Sequence, residues 1–100
     1  IKKPVRAAYS SHVYHQYTLQ VANGKRDALQ QFLKERGVPS MVYYPLPLHQ
    51  QEAFRSIARH GSSLEVSAHL CRSVLSLPIH TEMKEQEVQY IIQQVLAFFE

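Results

Sequence analysis

One hundred residues, 45% hydrophobic and 19% charged, suit a single globular domain and leave no room for a second core. The net charge of +3 comes from eleven lysines and arginines spread along the chain, which argues against a dedicated nucleic-acid surface and allows a small anionic ligand. No apolar run approaches the roughly 20 residues that a membrane-spanning helix requires, so we expect neither a nucleic acid nor a membrane as a partner.

The first half of the chain predicts a strand, a helix and a second strand. Residues 13–21 alternate between two faces, as in a half-buried strand. Residues 26–36 carry an apolar stripe with helical spacing, and Gly37 follows where a left-handed C-terminal cap is expected. Residues 38–44 are typical of another strand, because they are rich in β-branched and aromatic residues and are followed by proline.

The second half predicts two helices, a strand and a final helix. Residues 49–58 form a short helical pattern, 64–73 another helical pattern, and 74–79 a buried strand. Residues 85–99 predict an amphipathic helix whose inward positions are Val88, Ile91, Ile92, Val95, Leu96 and Phe99. The order β-α-β-α-α-β-α indicates a two-layer α+β domain, with helices packed on one face of a mainly antiparallel sheet.

The six histidines and the single cysteine do not form a metal or nucleophile motif. His12 and His15 are the closest histidine pair, and three positions apart on a strand they point to opposite faces. Cys71 lies on the inner side of its predicted helix, where a thiol usually serves as packing. A lone cysteine cannot form an internal disulfide, which favours a reducing, cytoplasmic setting. We therefore expect no metal site and no catalytic thiol.

The stretch "VYYPLPLH", residues 42–49, breaks the pattern of the surrounding elements. Its two prolines fix their own backbone angles and push the preceding residues toward extended geometry. Tyr43, Tyr44 and His49 can stack on a ring and donate hydrogen bonds to phosphate or hydroxyl oxygens. Two interpretations stay open on spacing alone: a strand end closed by prolines, or the wall of a binding site.

A resemblance to a known family covers nearly all of residues 12–99. The ordered segments "YHQYT", "RDALQQFLKERGVPSMVYYPLPLHQQEAF" and "VLSLPIH", followed by an amphipathic helix, resemble the C-terminal domain of the DegT/StrS sugar aminotransferases. The resemblance implies the aspartate-aminotransferase fold, in which a large domain precedes this small α+β domain. Since the chain starts at Ile1, we expect residues 1–11 to be a linker or N-terminal extension from a missing large domain, and residues 12–100 to be the small domain.

The same resemblance implies an activity. Members of the family are pyridoxal-phosphate enzymes that transfer an amino group, usually from glutamate, to a keto group on a nucleotide-linked sugar. They work as homodimers, commonly in surface polysaccharide, lipopolysaccharide or glycoconjugate biosynthesis. The cofactor and its Schiff-base lysine belong to the large domain, and no lysine here lies in a matching motif. We therefore expect this chain to contribute no catalytic or cofactor-binding residue and to be inactive by itself.

Substrate-binding residues are also implied by the resemblance. Tyr44 matches the aromatic residue that contacts the nucleotide, and His49 matches a histidine near the sugar. Tyr43 stands where the family usually has histidine, and a phenol can donate a hydrogen bond but cannot become cationic near neutral pH. His15 and Tyr17 share a predicted strand face with apolar residues and are assigned to packing, while Arg26 has a family counterpart at a helix start and is expected to be solvated.

Two other functional classes remain open. A free-standing ferredoxin-like or RNA-recognition module would have a similar pattern of small strands and helices. RNA recognition favours aromatic residues on central strands in a Lys/Arg-Gly-Phe context, and the sequence lacks that context. A regulatory or purely structural domain is the third possibility.

Overall fold

The computed structural model describes residues 1–54, 56–57 and 63–100 and shows a small α+β domain. Its elements are two strands, three helices and two short 3-10 turns: β1 Tyr17–Gln20, α1 Arg26–Glu35, the turns Leu48–Gln50 and Glu52–Phe54, α2 Glu65–Ser73, β2 Val74–Leu77 and α3 Glu85–Ala97. The α+β class and the predicted helices 26–36, 64–73 and 85–99 are confirmed, while the middle of the predicted order differs.

The two strands form an antiparallel pair at the centre of the domain. Leu19 lies opposite Leu75, and isolated bridges extend the sheet on both sides, from Lys2 to β1 and from Met41 to β2. At the first bridge Lys2 and Gln20 exchange backbone hydrogen bonds of 2.8 and 2.9 Å. The segment predicted to be a linker is therefore tied to the sheet near its start.

The hydrophobic core lies between one face of this sheet and the helices α1 and α3. Alternation along the strands and the apolar stripes of the helices bring seven buried side chains together: Leu19, Val21, Leu29, Leu33, Val38, Leu75 and Val95. Gly37 ends α1 with φ +71°, as its position predicted. Cys71 is buried on the inner side of α2, in agreement with its predicted packing role.

The first predicted strand begins too early. Tyr14 has φ +50°, a left-handed conformation that an extended strand cannot contain. Its N–H donates to His12 Nδ1 at 2.8 Å, and the two rings stack with centroids 4.5 Å apart. Val13 and His15 are consequently exposed, so the predicted packing role of His15 is wrong, whereas Tyr17 does pack against the core.

The second predicted strand and the helix after it are largely replaced by irregular structure. Residues 38–44 make only the Met41 bridge to the sheet, among the residues the structure describes. The predicted helix 49–58 contains two 3-10 turns, and part of it lies outside the described residues. Gln51 separates these turns with ψ 141°, an extended conformation that interrupts the helical ladder.

The final helix forms as predicted, but its orientation differs in part. Val95 is buried and Ile91 packs against the core, whereas Ile92, Leu96 and Phe99 are exposed. Only part of the predicted inward stripe thus faces the core, since the narrow sheet does not cover all of it. Among the described helices, none has the length and apolar character needed to cross a membrane.

Candidate substrate-binding segment

The segment 42–49 leaves the sheet at its β2 edge and presents aromatic side chains to solvent. Tyr43 is 50% exposed and Tyr44 is 70% exposed. Pro47, which lies in the sequence between the tyrosines and His49, is buried. His49 is half-buried within the first 3-10 turn. The three predicted substrate-binding residues therefore lie on one short segment, and both tyrosines are accessible.

Both ends of this segment are fixed. At its start, Met41 and Ser76 exchange backbone hydrogen bonds of 2.9 Å in each direction. At its end, Pro47 is buried with φ −60°, and its carbonyl oxygen accepts a hydrogen bond of 2.9 Å from the N–H of Gln50. Because both ends are held and Pro45 fixes its own φ, the tyrosines lose less backbone freedom when they bind a ligand.

A cavity of about 190 Å³ lies beside the start of the segment. It is lined by residues of the segment and of the β2 edge: Pro39, Ser40, Met41, Tyr43, Ser76, Leu77 and Pro78. The Ser40 hydroxyl is buried and has no hydrogen-bond partner among the described residues, whereas the Ser76 hydroxyl is 2.8 Å from that of Thr18. Tyr43 lines this cavity, and Tyr44 and His49 do not.

The side chains of the segment offer groups that can contact a planar ring and anionic oxygens. Each tyrosine offers a flat face for stacking and a hydroxyl that donates or accepts a hydrogen bond. A stacked base contributes about 1–3 kcal/mol in alanine-substitution experiments on nucleic-acid complexes. The residues present can therefore hold and orient a ligand that combines a planar ring with anionic oxygens.

Arg26 has a structural role that its position in the sequence did not predict. Its side chain is 12% exposed and donates from Nη1 to the carbonyl oxygens of Cys71 and Val74, at 3.1 and 3.2 Å. It also contacts the Asp27 carboxylate. The expectation of a solvated charge is wrong, because the cation neutralises the negative end of α2 at its junction with β2. Its two carbonyl partners are 45 and 48 residues away, so no local pattern could reveal them.

Pyridoxal phosphate is the cofactor that the family resemblance implies. Such a cofactor requires a lysine for its Schiff base in a protected pocket. All five lysines are exposed, at positions 2, 3, 25, 34 and 84. In the part of the chain that the structure describes, histidine, cysteine and carboxylate side chains also do not gather into a set that could ligate a metal.

Comparison with known proteins identifies the family. The model of the DegT/DnrJ/EryC1/StrS aminotransferase family matches residues 1–96. A DegT/DnrJ/EryC1/StrS aminotransferase from Brucella abortus has a crystal structure that superposes with a TM-score of 0.88 at 34% sequence identity, over 97% of this chain. The chain belongs to the DegT/DnrJ/EryC1/StrS aminotransferase family.

Two curated relatives are similar over most of this chain. A pleiotropic regulatory protein from Geobacillus stearothermophilus is 44% identical over 88 residues, which are 88% of this chain and 23% of that protein. A UDP-N-acetyl-3-dehydro-α-D-glucosamine 3-aminotransferase from Acidithiobacillus ferrooxidans is 37% identical over 91 residues, which are 91% of this chain and 24% of that protein. The match with the Brucella protein likewise covers 26% of that protein's chain. This chain therefore spans about a quarter of the length of these relatives.

Proposed function

We propose that the chain is the C-terminal small domain of a pyridoxal-phosphate-dependent aminotransferase that acts on a keto group of a nucleotide-linked sugar. The family match and the superposition support the domain assignment. The relative from A. ferrooxidans is named for this reaction on a UDP-linked 3-keto sugar. Residues 1–11 would connect the small domain to a large domain, with glutamate as the amino donor and a homodimer as the working form.

The task of this chain in that reaction is to bind and orient the sugar nucleotide. Tyr44 would stack on the base, Tyr43 would donate a hydrogen bond from its hydroxyl to a phosphate oxygen, and His49 would lie toward the sugar. Because the chain's own lysines do not fit a Schiff-base role, cofactor chemistry belongs to residues outside it. Correct placement of a substrate lowers a barrier by about 7–11 kcal/mol in well-oriented systems.

One observation carries this proposal: Tyr43 and Tyr44 are accessible on a segment that is held at both ends. The adjacent rings of Tyr43 and Tyr44 are both exposed, whereas Pro47, three residues after Tyr44, is buried, so the segment is held in place while the rings stay within reach of a ligand. A segment that binds a ligand needs both features, since the rings must be reachable and their position must be defined.

A hybrid enzyme tests the proposal. The matching quarter of the A. ferrooxidans aminotransferase would be replaced by this chain, and amino transfer to its UDP-linked keto sugar would be measured. We expect an active hybrid. Tyr44→Ala in the hybrid should raise KM for the nucleotide sugar roughly tenfold, as expected for a lost stacking interaction, and leave the reaction with the amino donor alone unchanged.

Tyr9→Ala is the matched control, because Tyr9 is 95% exposed and lies outside the segment. It should leave KM unchanged. A hybrid that is folded and loaded with cofactor but transfers no amino group to the sugar would contradict the proposed function. Equal KM values for Tyr44→Ala and the parent hybrid would contradict the role of the segment.

A further inference from the structure

The turn that precedes β1 is closed by a hydrogen bond to a histidine ring. The backbone N–H of Tyr14 donates to Nδ1 of His12 at 2.8 Å, and the two rings stack with centroids 4.5 Å apart. Tyr14 has φ +50°, a conformation that a residue with a large side chain keeps only when other contacts compensate for its cost. The hydrogen bond and the stacked ring provide that compensation.

The turn also determines where the Tyr14 ring lies. Its centroid is 5.2 Å from that of the Tyr17 ring. Tyr17 packs against the core and lines an apolar groove of about 280 Å³, which side chains of α3 also line. Within the described ranges, residues 3–14 make hydrogen bonds only to one another. The contact between the two tyrosine rings therefore joins this segment to the strand.

Protonation of His12 removes the hydrogen bond that closes the turn. Nδ1 accepts a hydrogen bond only in the neutral ring, because both nitrogens of a charged imidazole are donors. Two donor nitrogens 2.8 Å apart repel each other, and turning the ring over places a C–H opposite the amide instead of an acceptor. Histidine is the side chain that ordinarily changes charge between about pH 5 and 8. The turn thus has its closing contact only while His12 is neutral.

No neighbouring charge offsets this loss. As far as the chain is described, His12 makes no ion pair, and Tyr14 is the titratable group stacked on its ring. His15 and Tyr17 follow on the same segment. A phenol keeps its proton throughout the pH range in which histidine changes charge. His15 is exposed and makes no hydrogen bond or ring contact with any described residue.

A histidine elsewhere in the domain shows why the partner of His12 matters. Nε2 of His69, in α2, lies 2.9 Å from Nε2 of Gln20, in β1. When His69 is protonated, the Gln20 carboxamide can turn over and present its oxygen as an acceptor. A backbone N–H cannot make this exchange, so the contact at Tyr14 is lost where the contact at Gln20 is kept.

We propose that the turn formed by His12 and Tyr14 is a pH-sensitive switch. It holds the Tyr14 ring against Tyr17 while His12 is neutral, and it releases the ring when His12 is protonated. Release separates residues 3–14 from the strand and uncovers the Tyr17 ring beside the apolar groove. The proposal does not depend on the function assigned to residues 42–49.

Nuclear Overhauser effects between the Tyr14 and Tyr17 rings of the 100-residue chain test this proposal. We expect clear effects at about pH 8 and a loss of roughly tenfold at about pH 5. His12→Asn should keep them at both pH values, because an asparagine side chain accepts a hydrogen bond from the backbone N–H two residues on and does not titrate. His15→Ala is the matched control: it removes the neighbouring histidine and should keep the full pH response.

The backbone amides of Leu19 and Leu75 report on the fold in the same spectra, and we expect them to keep their positions because both residues are buried in the core. Equal Tyr14–Tyr17 effects at both pH values in the parent chain would overturn the proposal. Loss of the effects in His12→Asn, or of the pH response in His15→Ala, would overturn it as well. A shift of the two core amides as large as that of Tyr14 would show a response of the whole domain and contradict a local switch.

Discussion

The core and the candidate binding segment, residues 42–49, differ in how their residues are held. In the core, seven apolar side chains from the two strands, from α1 and α3, and from the loops after β1 and α1 are packed together and largely removed from water. In the segment, backbone hydrogen bonds and a buried proline fix the ends, while the tyrosine side chains stay exposed. The difference indicates that stability resides in the core and that the segment can change its side chains without loss of the fold.

Truncation of a core leucine should have the largest effect on stability. Leu75 is completely buried in β2, and Leu75→Ala should lower the free energy of unfolding by about 3 kcal/mol, through lost burial and the cavity left behind. Leu48→Ala makes the same chemical change at a position that is 67% exposed, and it should change stability by at most about 0.5 kcal/mol. Urea denaturation measures both, and equal losses would remove the distinction between the two regions.

Loss of the Arg26 side chain should have the next largest effect. Arg26→Ala leaves the carbonyl oxygens of Cys71 and Val74 without their charged donor, and it should cost about 2 kcal/mol in urea denaturation. Arg6→Ala removes an exposed arginine from the N-terminal segment and should be nearly neutral. If both substitutions are neutral, the helix α2–strand β2 junction does not depend on Arg26.

A smaller effect is expected at the end of α1. Gly37 has φ +71°, and a Cβ added there would meet no atom within 4 Å, so a substitution is penalised only through the backbone. Gly37→Ala should therefore cost about 1 kcal/mol in thermal or urea unfolding. Gly37→Asn should cost less, because asparagine tolerates the left-handed region. Equal losses for alanine and asparagine would point to a cause other than backbone conformation.

The sequence predicted the parts of the fold that follow a simple period. The apolar spacing of α1 and α3 and the run of residues in β2 are local signals, and each element formed close to its expected bounds. The irregular parts were harder to predict because they depend on single residues. A left-handed Tyr14 makes the first strand start later than predicted, and an extended Gln51 divides the expected helix into two turns.

The candidate site was predicted only through its residue types and the family resemblance. Adjacent tyrosines and prolines marked residues 42–49, but alternation alone could not distinguish a binding segment from a closed strand end. The Met41 bridge and the cavity beside Tyr43 depend on contacts with β2, more than 30 residues away. Long-range contacts also explain why the role of Arg26 was not anticipated.

Titration of the ¹⁵N-labelled chain with UDP, followed by NMR, tests the central claim most directly. We expect the backbone amides of Tyr43, Tyr44 and His49 to shift in a saturable manner, and Tyr44→Ala to abolish most of this response while the amides of the core residues keep their positions. Inorganic phosphate serves as the control for an anion without a base and should produce much smaller shifts. If UDP shifts these three amides no more than phosphate does, or shifts them equally in Tyr44→Ala, the segment does not bind the nucleotide.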